Sequence, residues 1–218
     1  MKCPECGKQE SDGFLFCTAC SAMLTSAFGV EELHDKAPQS SQPSGDDDIT
    51  TLVKSGENGD AESLFELGMK YSSGIDVTED QQLAARYYVE AAELGHADAQ
   101  FILGTRFRDG DGVDQDFQQS IYWINKAAEQ GHYAAQNDLG YLFENGIGVE
   151  QDYRQALYWY TKAAEQGDAM AQFNVGQFYY FGDGVDEDKE KGIYWFKKSA
   201  KQGYEAAQKN LKKLSIDY

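Results

Sequence analysis

After Cys20 no cysteine occurs in this chain of 218 residues, so the disulfides that often staple secreted helical repeats are excluded from most of it. Proline is equally scarce, with three in all, and Pro38 and Pro43 share one short stretch. No run of 18 apolar residues occurs, and the opening MKCPECGKQE has no apolar stretch behind its lysine, which excludes a membrane-spanning helix and a secretory signal. Basic residues are few: 19 Lys and Arg face 37 Asp and Glu, for a net charge of −18 and a pI near 4.4. Such a surface is repelled by nucleic-acid phosphates and by anionic membranes. The expected location is the cytoplasm. What is present suffices for a core, since 41% of residues are hydrophobic and 14 are tyrosines.

Three regions follow from composition. Residues 1–24 hold all the cysteines. Residues 25–48 are rich in Ser, Pro, Gln and Asp without apolar periodicity, and read as a flexible linker. From residue 49 to 218 an internal repeat dominates. Gly68, Gly104, Gly140 and Gly176 are spaced by 36 residues, as are Gln100, Gln136, Gln172 and Gln208. Tyr87, Trp123, Trp159 and Trp195 form a third column, and Asp80, Asp116, Asp152 and Asp188 a fourth. Full units run 60–95, 96–131, 132–167 and 168–203, with partial units before and after them.

Each unit reads as two helices. In the first helix of the second unit, Phe101, Leu103, Gly104 and Phe107 share helical spacing, and the loop DGDGVDQ then ends that helix. Asp116 is placed to cap the next helix, which stops at Gly131. Neither helix can bury its apolar face alone, whereas stacked pairs bury them in one continuous core. Glycine inside a helix costs about 1 kcal/mol relative to alanine. Four in one register, with alanine pairs such as Ala163–Ala164 also in register, predict close backbone contact between paired helices. The repeating tryptophans are expected in the core.

These columns resemble the Sel-one-like repeat (SLR) family, relatives of the tetratricopeptide proteins. The third unit matches the family pattern through Leu139, Gly140, Phe143, Gly146, Gly148, Val149, Asp152, Ala156, Trp159, Tyr160, Ala163, Ala164 and Gly167. The first unit departs from it, with Asp76 for a loop glycine and Tyr87 for the tryptophan. The resemblance implies an all-α fold, an α/α solenoid of helix-turn-helix repeats, and a scaffold or adaptor that binds protein or peptide partners on a concave face. It also implies that the first helices line the groove. The positions three before, one after and four after each mid-helix glycine share one helical face. They are Phe65, Met69 and Ser72, then Phe101, Thr105 and Arg108, then Asn137, Tyr141 and Glu144, and last Phe173, Gln177 and Tyr180. Aromatics among non-repeating polar neighbours suit protein recognition. Packing of Phe65, Phe101 and Phe173 between adjacent first helices is the alternative.

Ahead of the solenoid, Cys3-Pro-Glu-Cys6 and Cys17-Thr-Ala-Cys20 form two CxxC knuckles. Four thiolates in that arrangement suit tetrahedral, structural Zn2+. The segment resembles a minimal zinc ribbon, with Ser21 in place of the usual final glycine and Phe14 and Phe16 as its small core. A redox pair or two disulfides is the competing reading of the same cysteines.

No enzyme is expected. Ser-x-x-Lys is absent, and His96 and His132 share one repeat register, which suits capping or packing between units. The acidic glycine loops recur with the repeat and lack the EF-hand glutamate, so they are turns. Three functions stay open: a monomeric cytoplasmic scaffold for partners whose charge could be basic, an exported or envelope-directed factor, and last a β-lactamase-like enzyme.

Overall fold

The computed structural model describes residues 47–217, and everything below concerns them. The four cysteines and the linker expected over 25–48 lie outside the described residues, save for the linker's last two positions. Ten α-helices follow one another: α1 (Asp47–Glu57), α2 (Ala61–Ser73), α3 (Gln81–Glu93), α4 (Ala97–Asp109), α5 (Phe117–Glu129), α6 (Tyr133–Asn145), α7 (Tyr153–Glu165), α8 (Ala169–Phe181), α9 (Lys189–Lys201) and α10 (Glu205–Lys213). The architecture is an all-α repeat solenoid. Within each repeat the first helix packs on the second, as α6 does on α7, and each second helix packs on the next first helix.

The interhelix turns are built alike because the same residues recur. Each first helix ends on a glycine in the left-handed region, Gly74, Gly110, Gly146 or Gly182. Each second helix starts on an aspartate whose carboxylate accepts from backbone N–H groups one turn on, as Asp116 does from Gln118 and Gln119. Two residues beyond the first glycine the loop again needs positive φ. Gly148 meets that need at 67°, and Asp76 meets it at 65° with its carboxylate on Lys70 at 2.9 Å. The departure of the first repeat from the pattern is therefore a tolerated left-handed aspartate.

The mid-helix glycines are explained by the residue that faces them. A Cβ on Gly140 would lie 2.6 Å from the ring of Tyr160, and one on Gly68 or Gly176 would meet Tyr88 or Phe196 as closely. At Gly68 and Gly140 the contact is a flat ring on bare helix. At Gly104 the added Cβ would meet Ile124 together with backbone of the partner helix at 3.0 Å, and at Gly176 the Phe196 ring together with the Gly192 carbonyl at 3.1 Å, so close backbone approach holds in two of the repeats. The same contacts also correct the placement of the core. The fully buried column of the second helices is Tyr88, Ile124, Tyr160 and Phe196, one residue beyond the tryptophans. Trp123 is buried, but Trp159 and Trp195 are half-buried flanks of the core. One step of helix turns a side chain by about 100°, so adjacent columns cannot both point at the partner helix.

Successive repeats are joined by a buried glutamine ladder. Gln136 donates to the Ala128 carbonyl at 3.0 Å and accepts from Gln166, which also donates to the Gly131 carbonyl. Gln100 with Gln130, and Gln172 with Gln202, repeat the arrangement. A carbonyl left exposed at a helix end and buried by the next repeat thus finds a donor, as a buried acceptor requires.

Candidate functional site

The first-helix face has a half-buried floor and an exposed ridge. Three phenylalanines three residues before the glycines form the floor by stacking on the residue that opens the next first helix. Phe65 stacks on His96 at 4.4 Å, Phe101 meets His132 at 4.7 Å and Phe173 meets Tyr204 at 5.4 Å. The histidines are locked as caps, because Nδ1 of His96 and His132 accepts from the backbone N–H of Ala99 and Ala135. In the neutral ring the proton then sits on Nε2, aimed at Glu62 and Asp98 at 3.1 and 2.9 Å. Phe65, Phe101 and Phe173 therefore pack between units and stay half-buried.

Residues four after the glycine also reach inward. Glu144 accepts from the Tyr160 hydroxyl at 2.6 Å, and burial together with that carboxylate raises the phenol well above its ordinary range. Ser72 pairs with the Tyr88 hydroxyl in the same place, and Tyr180 lies against the Phe196 ring. Arg108 turns toward the next first helix and holds Asp138 at 2.6 Å. Burial pushes the Asp138 carboxyl above the usual carboxylate range, and Arg108 opposes that push.

The third repeat breaks the pattern. Where the other repeats place phenylalanine it has Asn137, and where the next ring would sit it has Asp168. Asn137 accepts from Asn174 at 3.2 Å and donates weakly to the Met170 sulfur at 3.5 Å, leaving a polar notch between the Phe101 and Phe173 stacks. Arg108 and Asp138 border it. Around it stand exposed apolar side chains, Tyr141 at 47%, Tyr133 at 52% and Met170 at 46%. Met69 and Phe181 are exposed further along the same face, while Thr105 bonds back to its own helix and Gln177 is half-buried. Tyr133, Met170 and Phe181 lie outside the three positions the sequence marks. Their signal was available as bulky apolar residues off the repeat columns.

The Sel1 repeat family model matches residues 61–96, 97–132, 134–168 and 169–204. A protective antigen of uropathogenic Escherichia coli with an SLR fold is 37% identical, with a TM-score of 0.69 over 71% of this chain. This chain spans only 33% of that antigen's length. A Sel1 repeat protein from Oxalobacter formigenes is 31% identical with a TM-score of 0.67, over 75% of this chain and 72% of its own. No curated protein matches the chain. No helix among the described residues is long and apolar enough to cross a membrane. Four tandem matches on a solenoid of the same architecture place the chain in the Sel1 repeat family of protein-interaction scaffolds.

Proposed function

We propose that the chain grips a segment of a partner protein on its first-helix face, centred on α6, and works as a cytoplasmic, non-catalytic adaptor. The observation that carries this reading is the broken seam at Asn137 and Asp168. Two repeats show the seam that favours stability, a phenylalanine stacked on a capping histidine. The third gives up that stack for a polar notch ringed by exposed Tyr133, Tyr141 and Met170. Exposed aromatic and methionine side chains around polar groups are what a recognition patch contains. The chain's charge of −18 favours a basic segment there.

Restoring the seam tests this. Asn137→Phe with Asp168→His should raise stability by about 0.5–1.5 kcal/mol, the size of one aromatic pair. The same double variant should lose the proteins that the intact chain captures from native lysate, whereas Tyr158→Ala on the opposite helices should keep them. Capture unchanged by the restored seam overturns the proposal.

We further propose that Cys3, Cys6, Cys17 and Cys20 hold one structural Zn2+. The support is donor chemistry alone: two CxxC pairs supply four thiolates, the full set for a closed tetrahedral site. Purified protein is expected to carry one zinc per chain. Cys3→Ser or Cys17→Ser should lose the metal and leave the helical circular dichroism unchanged. Metal-free protein prepared without chelator would refute the site.

A further inference from the structure

We propose that the groove between α6 and α8 holds its partner as an extended chain with a basic end, gripped by its peptide groups. The inference rests on the first-helix face proposed above, and adds the conformation of the bound segment and the end that carries its charge. Two stripes line the groove. Tyr133, Asn137 and Tyr141 follow one another on one face of α6, and Met170, Asn174 and Gln177 on one face of α8. Asn174 joins the stripes by donating to Asn137 at 3.2 Å, and Asn137 reaches the Met170 sulfur at 3.5 Å.

Amide chemistry is the first ground. A primary amide carries donors and acceptors together, so one bond between Asn137 and Asn174 leaves some of each on both residues. The thioether of Met170 is a weak acceptor and takes little of the Asn137 donor. Gln177 is half-buried and bonds to no residue among the described ones. A peptide unit offers the complement, an N–H beside a C=O. An extended chain repeats that pair on one side about every 7 Å, within reach of amides that stand about 5 Å apart along a helix. A helical segment spends the same groups within itself and would leave these amides unanswered. No other repeat has an amide in either register, where Phe65, Phe101 and Phe173, and Glu66, Ile102 and Asp138, stand instead.

Charge is the second ground, and it sets the direction. Residues 133–152 and 168–188, which hold α6, α8 and the loops that end them, contain nine carboxylates and no lysine or arginine. The second helices α3, α5, α7 and α9 are the reverse, with nine basic side chains against five acidic ones. Arg108 holds Asp138, and Asp152, Asp168 and Asp188 cap helices. Glu150, Asp183 and Asp186 are exposed in the loops and have no ion pair among the described residues. They stand past the Tyr141 and Gln177 end of the groove, where the helix dipoles also point their negative ends. A lysine or arginine at that end of the bound chain meets both. A second copy is the poorer occupant, because its described residues are helices joined by short loops whose backbone groups are already bonded.

The test selects phage-displayed random peptides of about eight residues, too short for a stable helix, on the full chain. Asn137→Phe/Asp168→His serves as the counter-target. Enriched peptides should share a lysine or arginine at one end. The tightest of them is then made with each interior backbone nitrogen methylated in turn. Alternate positions should lose roughly three- to tenfold in affinity, the size of one hydrogen bond, and the positions between them little. Asn174→Leu and Gln177→Leu keep the side-chain volume and remove the amide. Each should weaken the peptide by a similar factor, with circular dichroism and melting unchanged. Glu150→Gln/Asp183→Asn/Asp186→Asn should weaken it further at about 50 mM salt than at about 300 mM, where screening is stronger. No enriched peptide, enriched peptides without a basic end, indifference to methylation, or full binding by both Leu variants overturns the extended grip. Failure of the adaptor reading shows differently, as lysate capture that the restored seam leaves unchanged.

Discussion

Tyr160→Ala is expected to lower the stability of the solenoid by about 3–5 kcal/mol, the cost of emptying a large buried aromatic site. Trp159→Ala, one residue earlier, is expected to cost distinctly less. Tyr160 is 1% exposed and lies flat on Gly140, edge-on to Phe178 at 5.6 Å, with its hydroxyl on Glu144. Trp159 is half-buried on the flank, with Tyr158 packed edge-on against it at 5.0 Å. Removing Tyr160 leaves a cavity in the α6–α7 interface, a half-buried carboxylate without its donor and a glycine with nothing to face. Urea melts of the two variants decide the matter. Equal losses would return the tryptophan column to the centre of the core.

The repeat period, the aspartate caps and the glycine turns were legible in the sequence because each is a local requirement that recurs every 36 residues. The choice between two adjacent aromatic columns was not. Trp159 and Tyr160 are both large and both repeat, and only the rotation of α7 against α6 sets which one meets Gly140. The glycine register says that some side chain must lie on bare helix but not which, since Tyr160 does so on Gly140 and the branched Ile124 on Gly104.

The first-helix face shows the same division. His96 and His132 were readable as capping or packing residues, and they do both. Their stacking on Phe65 and Phe101 depends on how one repeat turns on the next, which no single helix encodes. It gives those phenylalanines, with Phe173, ring contacts in the seam between units while leaving them half-buried. The notch survives because it rests on a difference between repeats. Asn137 stands where phenylalanine would complete the packing, and that departure from a regular array is what the proposed binding site rests on.

Gly140→Ala carries the second large effect, and its sign depends on Tyr160. In the native chain the added methyl lands 2.6 Å from Cδ1, 2.8 Å from Cε1 and 2.9 Å from Cγ of the tyrosine ring. The ring cannot retreat freely, since Phe178 lies beside it and Glu144 holds its hydroxyl. Overpacking of this kind costs about 1–3 kcal/mol, and a rigid ring with no exposed side places the cost at or above the top of that range. Alanine's better helix propensity returns about 1 kcal/mol, leaving a net loss near 2 kcal/mol. In a Tyr160→Ala background the clash is gone and only the propensity gain remains. There Gly140→Ala should stabilise the protein by about 1 kcal/mol, so the double-mutant cycle should show a coupling of about 3 kcal/mol. Melts of the four proteins measure it. A substitution that is destabilising in both backgrounds would show that the glycine answers to backbone conformation rather than to the ring laid across it.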